Sequence, residues 1–92
     1  MKTYIMGLCE NRHELPVRDY IYPMWIPSKV SSDELERHAD RKIPKDCGRL
    51  ILYTTGLTVA ILSVVAVCRK RGIALDAYHY RGGKFERQEV LK

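Results

Sequence analysis

Several chemistries are excluded by what the 92-residue sequence lacks. There is no HxxxH or HExxH histidine pair, no GxSxG elbow and no cluster of carboxylates suited to magnesium. Asp46 and Asp76 stand isolated, so a hydrolytic reaction would have to run without a metal, on groups such as His13, His79 and Arg12. No motif implies a cofactor. The 3 cysteines, Cys9, Cys47 and Cys68, are an odd number without CxxC spacing. They indicate neither a disulfide framework nor a zinc knuckle and fit a reducing cytoplasm. Cys68 lies in an apolar run and reads as a small core residue. Internal repeats, low-complexity tracts and long linkers are also missing, so one domain over 1–92 is expected. A chain this short buries a modest share of its surface, so self-association is expected too.

What is present begins with charge. The net charge is +5 and the pI about 9.3. That balance suits an anionic partner, whether a nucleotide, a nucleic acid or an acidic surface, and it equally suits plain solubility. The stretch Thr3–Leu8 is apolar but brief, and it runs into Glu10-Asn11-Arg12-His13-Glu14. It reads as a first strand rather than a leader.

From Leu50 to Cys68 no side chain is charged, with Arg49 before and Arg69-Lys70-Arg71 after. That length is a transmembrane candidate. Thr54-Thr55-Gly56, Thr58 and Ser63 punctuate it, however, and the part after the turn is too short to span a bilayer. A strand and a helix joined by a turn explain the run better, and no membrane partner is expected.

The pattern predicts strands at 2–9, at Tyr20–Tyr22, at 49–54 and at 74–80, the last turning through Arg81-Gly82-Gly83-Lys84 into an antiparallel strand at 85–90. The strands at 2–9 and 49–54 are apolar in succession, as parallel strands buried on both faces are. Lys45–Gly48 reads as a turn. A surface helix starts at Ser31 or Ser32, with acids in its first turn, and runs to about Lys42 with Leu35, Ala39 and Ile43 as its apolar stripe. His38 lies on its polar side. Met24-Trp25-Ile26 is bracketed by prolines and reads as core or interface. The main helix, 57–71, is apolar nearly all round and ends at Gly72; a second subunit is its expected cover. The fold class is α/β: a small Rossmann-like domain, mainly parallel sheet, with a C-terminal antiparallel hairpin and two helices. Residues 49–80 form a βαβ unit with a right-handed crossover.

In open α/β sheets ligands bind beyond the carboxyl ends of the strands. The strand at 49–54 delivers Thr54-Thr55-Gly56-Leu57-Thr58 to that edge. Gly56 allows close backbone approach, the first helical amides lack intrahelical partners, and Thr55 and Thr58 carry hydroxyls that can donate to phosphate. The bland alternative is a simple helix cap. The first strand leads to the same edge with Asn11, Arg12 and His13, where Arg12 would pair with phosphate and Asn11 with a base or ribose. The alternative there is a solvated loop. The last parallel strand brings Tyr78-His79-Tyr80, tyrosines for stacking and His79 as hydrogen-bonding group, acid or base, or all three as fillers of a half-buried strand.

The stretch Leu52–Ala60, the apolar helix, Gly72 and then Ala77-Tyr78-His79-Tyr80 resemble the second half of CRISPR-associated Rossmann-fold (CARF) domains. The resemblance covers about a third of the chain. It implies a dimer that binds cyclic oligoadenylate in the cleft between subunits, in some members cleaving the ring without metal. Small prokaryotic and phage proteins that sequester or degrade nucleotide signals are similar in role. Thr55, Gly56 and Thr58 fall on phosphate- or ribose-contacting positions. Leu57 replaces the family's second glycine, and Val59 stands where a basic residue often follows.

The expectation is therefore a cytoplasmic homo-oligomer, joined through helix 57–71, that binds a small nucleotide signal as a sponge or a slow metal-independent phosphodiesterase. Thr54, Thr55, Gly56, Leu57, Thr58, Asn11, Arg12 and Tyr78 would hold the ligand, with His13 and His79 as catalytic candidates. Two rivals stay open. One is a protein-interaction module docking through the helix and Met24-Trp25-Ile26. The other is a nucleic-acid binder with a basic stripe of Arg69, Lys70, Arg71, Arg81, Lys84 and Arg87, ranked lower because aromatics other than Tyr78, Tyr80 and Phe85 are not interleaved with it.

Overall fold

Local stop and start signals at Ser31, Gly72 and the Gly82-Gly83 pair mark element ends in the computed structural model, which describes residues 1–10, 16–22, 30–54 and 58–92. The strands are β1 (Lys2–Cys9), β2 (Tyr20–Tyr22), β3 (Cys47–Tyr53), β4 (Ala74–Arg81) and β5 (Lys84–Leu91). The helices are α1 (Ser32–Lys42), between β2 and β3, and α2 (Thr58–Arg71), between β3 and β4. The sheet order is β2-β1-β3-β4-β5, parallel throughout except for the β4–β5 hairpin. The domain is therefore a small α/β fold with a Rossmann-like sheet, a C-terminal hairpin and two helices.

Local chemistry explains the helix ends. Ser31 Oγ accepts the Glu34 amide at 3.3 Å, with Asp33 and Glu34 in the first turn of α1. At the other end of α2 the Ile73 amide donates to the Cys68 carbonyl at 2.8 Å, and Gly72 takes φ of +69°. This is a Schellman stop, which glycine enters without a Cβ penalty. Arg71 then spans to α1: its guanidinium donates to the carbonyls of Ile43 at 3.2 Å and Pro44 at 2.7 Å. A residue that read as part of a basic stripe is thus a clamp on the end of the neighbouring helix. Lys70 is likewise tied to Glu36 on α1, at 3.3 Å.

The connections β2–α1–β3 and β3–α2–β4 run in the same direction across the sheet, so right-handed crossovers place both helices on one face. There α1 packs on α2 and together they cover Met6, Leu8, Leu50, Leu52 and Leu75, with Ala39, Val64 and Cys68 from the helices. The connection from β1 to β2 runs the other way. Its Val17 and the Tyr20 ring lie over Gly7, so close that a Cβ at Gly7 would sit 2.5 Å from the ring.

Three expectations are corrected. Strand β3 is not buried on both faces, and β1 is so only over Met6–Cys9: Leu50 and Leu52 are buried while Ile51 and Tyr53 are half-buried and Ile5 is 52 % exposed. Cys47 is not in a turn; it is buried as the first residue of β3, since Lys2 already pairs with it, and the turn is confined to Lys45-Asp46. His38 is not simply solvated but half-buried, stacked on Tyr22 at 5.4 Å between ring centres. Asp46 and Asp76 belong to no cluster of metal-binding groups among the described residues, and each has a partner: Asp46 accepts the Tyr4 hydroxyl at 2.6 Å, and Asp76 holds two arginines. The sheet and α1 already cover Ala60, Val64, Val67 and Cys68 of α2, and what it leaves outward is chiefly Val59 and Leu62. No helix among the described residues is long and apolar enough to cross a membrane.

Candidate functional site

Strand β1 hands the chain leftward to β2, whereas β3 hands it rightward through α2 to β4. Neighbouring parallel strands whose connections diverge leave a crevice at their carboxyl ends, which is where open α/β sheets take ligands. In this sheet the divergence falls between β1 and β3. Cys9 ends one strand, Tyr53 ends the other, and α2 opens at Thr58.

Thr54 is fixed at this edge by its neighbour strand. Its amide donates to the Tyr78 carbonyl at 2.9 Å and its hydroxyl to the same oxygen at 3.1 Å. The hydroxyl proton is therefore committed within the protein, which leaves Thr54 Oγ1 as an acceptor toward a ligand. The structure thus joins two residues that the sequence nominated separately, Thr54 and Tyr78. Thr58 is exposed at the start of α2, and the first turn of that helix carries no acid. The positive end of the helix dipole is consequently not neutralised by its own side chains.

Tyr53 is a residue the sequence reading did not nominate. It is in register with Tyr78, and the two rings stack at 4.7 Å with an 11° interplanar angle. Phe85 of β5 meets Tyr53 edge-on at 5.2 Å. The signal lay in the parallel register, which pairs the last residue of β3 with the fifth of β4, and no single-strand pattern reveals that.

Side chains alternate along a strand, so Tyr78 and His79 point to opposite faces. His79 lies 3.7 Å from Glu86 on β5. Tyr78 instead shares its face with Tyr53 and with Arg87, whose guanidinium carbon lies 5.8 Å from the Tyr78 ring centre. The structure therefore separates the catalytic candidate His79 from the stacking candidate Tyr78. The remaining candidates, Asn11, Arg12, His13, Thr55, Gly56 and Leu57, lie outside the described residues, as does Met24-Trp25-Ile26.

A concavity of about 400 Å³ lies against β2 and α1. Arg18 and Lys42 line it together with Glu10 and Asp19, and Tyr22 and His38 form its aromatic wall. The Tyr22 hydroxyl donates to the Leu35 carbonyl at 2.8 Å, and burial pushes its pKa upward, so it is a structural post rather than an acid. With its formal charges balanced, this cavity has no preference for an anion.

No family model, curated protein or solved structure matches this chain.

Proposed function

We propose that the protein binds a small nucleotide, of the cyclic oligonucleotide class, at the carboxyl edge of β1, β3 and β4. The observation that carries this reading is the coincidence, at the β1/β3 divergence, of an acid-free helix start at Thr58 with the Tyr53–Tyr78 ring pair one residue before Thr54. Phosphate oxygens take the amides and hydroxyls from Thr55 to Thr58, with Thr54 Oγ1 accepting from a ribose hydroxyl, and a base lies against the tyrosine pair. Asn11 and Arg12 supply base and phosphate contacts from the segment that follows β1. The likeness of residues 49–80 to CARF domains supports the ring-shaped class of ligand, and a net charge of +5 supports an anionic one.

Binding without turnover, that is a sponge, is favoured over ring cleavage. His79 faces away from Tyr78 and is engaged with Glu86, so among the described residues no histidine is aimed at a sugar hydroxyl held on the tyrosine side.

The test is isothermal titration against cyclic oligoadenylates of several ring sizes and against linear controls. Micromolar or tighter binding is expected for one ring, weakened at least tenfold by Thr58→Val, with the ligand recovered intact by chromatography. Absence of heat with every ligand, from a sample with native circular dichroism, refutes the reading.

A further inference from the structure

The face of the sheet opposite the helices carries a chemistry that the edge site uses only through Tyr53 and Tyr78. Register places Arg49 and Ile51 of β3, Asp76, Tyr78 and Tyr80 of β4, and Phe85 and Arg87 of β5 on this one face. Nothing among the described residues stacks over it beyond the Val17–Tyr20 cover on Gly7 of β1. Tyr80 is 65 % exposed and meets Phe85 edge-on at 5.4 Å. Behind them Tyr78 and Tyr53 continue the aromatic surface.

The arginines are arranged rather than scattered. Arg49 Nη1 donates to Asp76 Oδ2 at 3.1 Å, and Arg87 donates to the same oxygen through Nε at 3.1 Å and also through Nη2. The Asp76 carboxylate is almost fully buried beneath them, with its pKa lowered chiefly by the hydrogen bonds from Arg87. Two cations over one carboxylate leave a net positive group. Each guanidinium has five N–H donors, of which Arg49 spends one on Asp76 and Arg87 two, and both side chains remain close to half exposed. The buried acid thus fixes two half-free arginines beside a row of rings.

We propose that this face is a second binding surface, for single-stranded nucleic acid, with bases on Tyr80 and Phe85 and phosphates on Arg49 and Arg87. Rings on a sheet accept any unstacked base, whereas bases within a duplex are stacked on each other and unavailable. Charge selects this occupant over a second copy of the chain. A two-fold face-to-face pairing brings the same patch against itself and sets arginines near arginines. The other acid on the face, Glu89, is 3.9 Å from Lys92. This surface is distinct from the edge at Thr54–Thr58, so it is occupied whether or not the edge holds a ligand.

The test is fluorescence anisotropy with labelled 12-nucleotide single strands of DNA and RNA, and with the matching duplex, from low to physiological salt. Single strands bind at least tenfold tighter than the duplex, and two phosphate contacts give a log–log salt slope of about −1.4. Tyr80→Ala, at an exposed position, weakens strand binding about tenfold while leaving titration with cyclic oligoadenylate unchanged. Thr58→Val does the reverse, so loss of one reading is separable from loss of the other. Three outcomes overturn the proposal: no single-strand binding by natively folded protein at low salt, equal affinity of Tyr80→Ala and wild type, or equal affinity for the duplex. A fourth is a dimer in sedimentation equilibrium that Tyr80→Ala dissociates, which would assign the face to a second copy.

Discussion

Leu52 and Ile51 are adjacent in β3 yet belong to opposite sides of the sheet, and replacing each by alanine tests whether one side is open. Leu52 is 1 % exposed among Met6, Leu50 and Leu75, whereas Ile51 is half-buried on the arginine–aromatic face. Removing a buried leucine leaves a cavity that a packed layer only partly refills, so Leu52→Ala should cost about 3 kcal/mol. For a domain of this size that lowers Tm by about 12 to 24 °C, at 4 to 8 °C per kcal/mol. Ile51→Ala sheds surface already partly in contact with water, and should cost about 1 kcal/mol. Urea unfolding followed by circular dichroism gives both values, with Leu52→Met as a control that conserves volume and loses less than about 1.5 kcal/mol. If Ile51→Ala costs as much as Leu52→Ala, or if its cost rises with protein concentration, the face is covered in solution and the one-sided sheet is refuted.

Three other outcomes follow from the geometry. Gly7→Ala forces a Cβ into the Tyr20 ring and should cost about 1 to 2 kcal/mol by overpacking, a cost that nearly disappears in a Tyr20→Ala background when both are measured by urea unfolding. Asp76 has a pKa below that of a free carboxylate, so its contribution is fully present above the unfolded value of about 3.9 and is lost as pH falls through the lower folded value. The stability difference between wild type and Asp76→Asn should therefore be flat above about pH 5 and shrink in acid; a difference constant to pH 2 would contradict the triad. Burial pushes the Cys68 thiol up to about 12 and also raises that of Cys47, so mass spectrometry should show both resisting iodoacetamide at pH 8 until urea unfolds the chain.

The parts of the fold that rest on local chemistry were legible in the sequence. Ser31 followed by acids, Gly72 after a basic turn and the Gly82-Gly83 pair mark ends that neighbours do not alter, and the structure places them there with φ of +69°, +61° and +85° at the glycines. Legibility failed where burial depends on what lies across the sheet. Ile51 and Tyr53 look as apolar as Leu50 and Leu52, and only the direction of the two helical crossovers decides which pair is covered. The same cause hid Tyr53 and the Arg49–Asp76–Arg87 group, whose members are 27 and 11 residues from their shared acid. At the candidate site, the Thr54 and Tyr78 nominations meet in a pair of hydrogen bonds, while Tyr78 and His79, adjacent in sequence, part to opposite faces by the alternation of a strand.

The most direct test of nucleotide binding at the carboxyl edge is a ¹⁵N-resolved NMR titration with the cyclic oligoadenylate that gives the largest calorimetric heat. The account predicts amide shifts concentrated at Thr54, Thr58, Val59 and Tyr78, with the Gly82-Gly83 turn unmoved. Shifts absent from Thr54 and Thr58, or centred instead on the Arg18–Lys42 cavity, would contradict it.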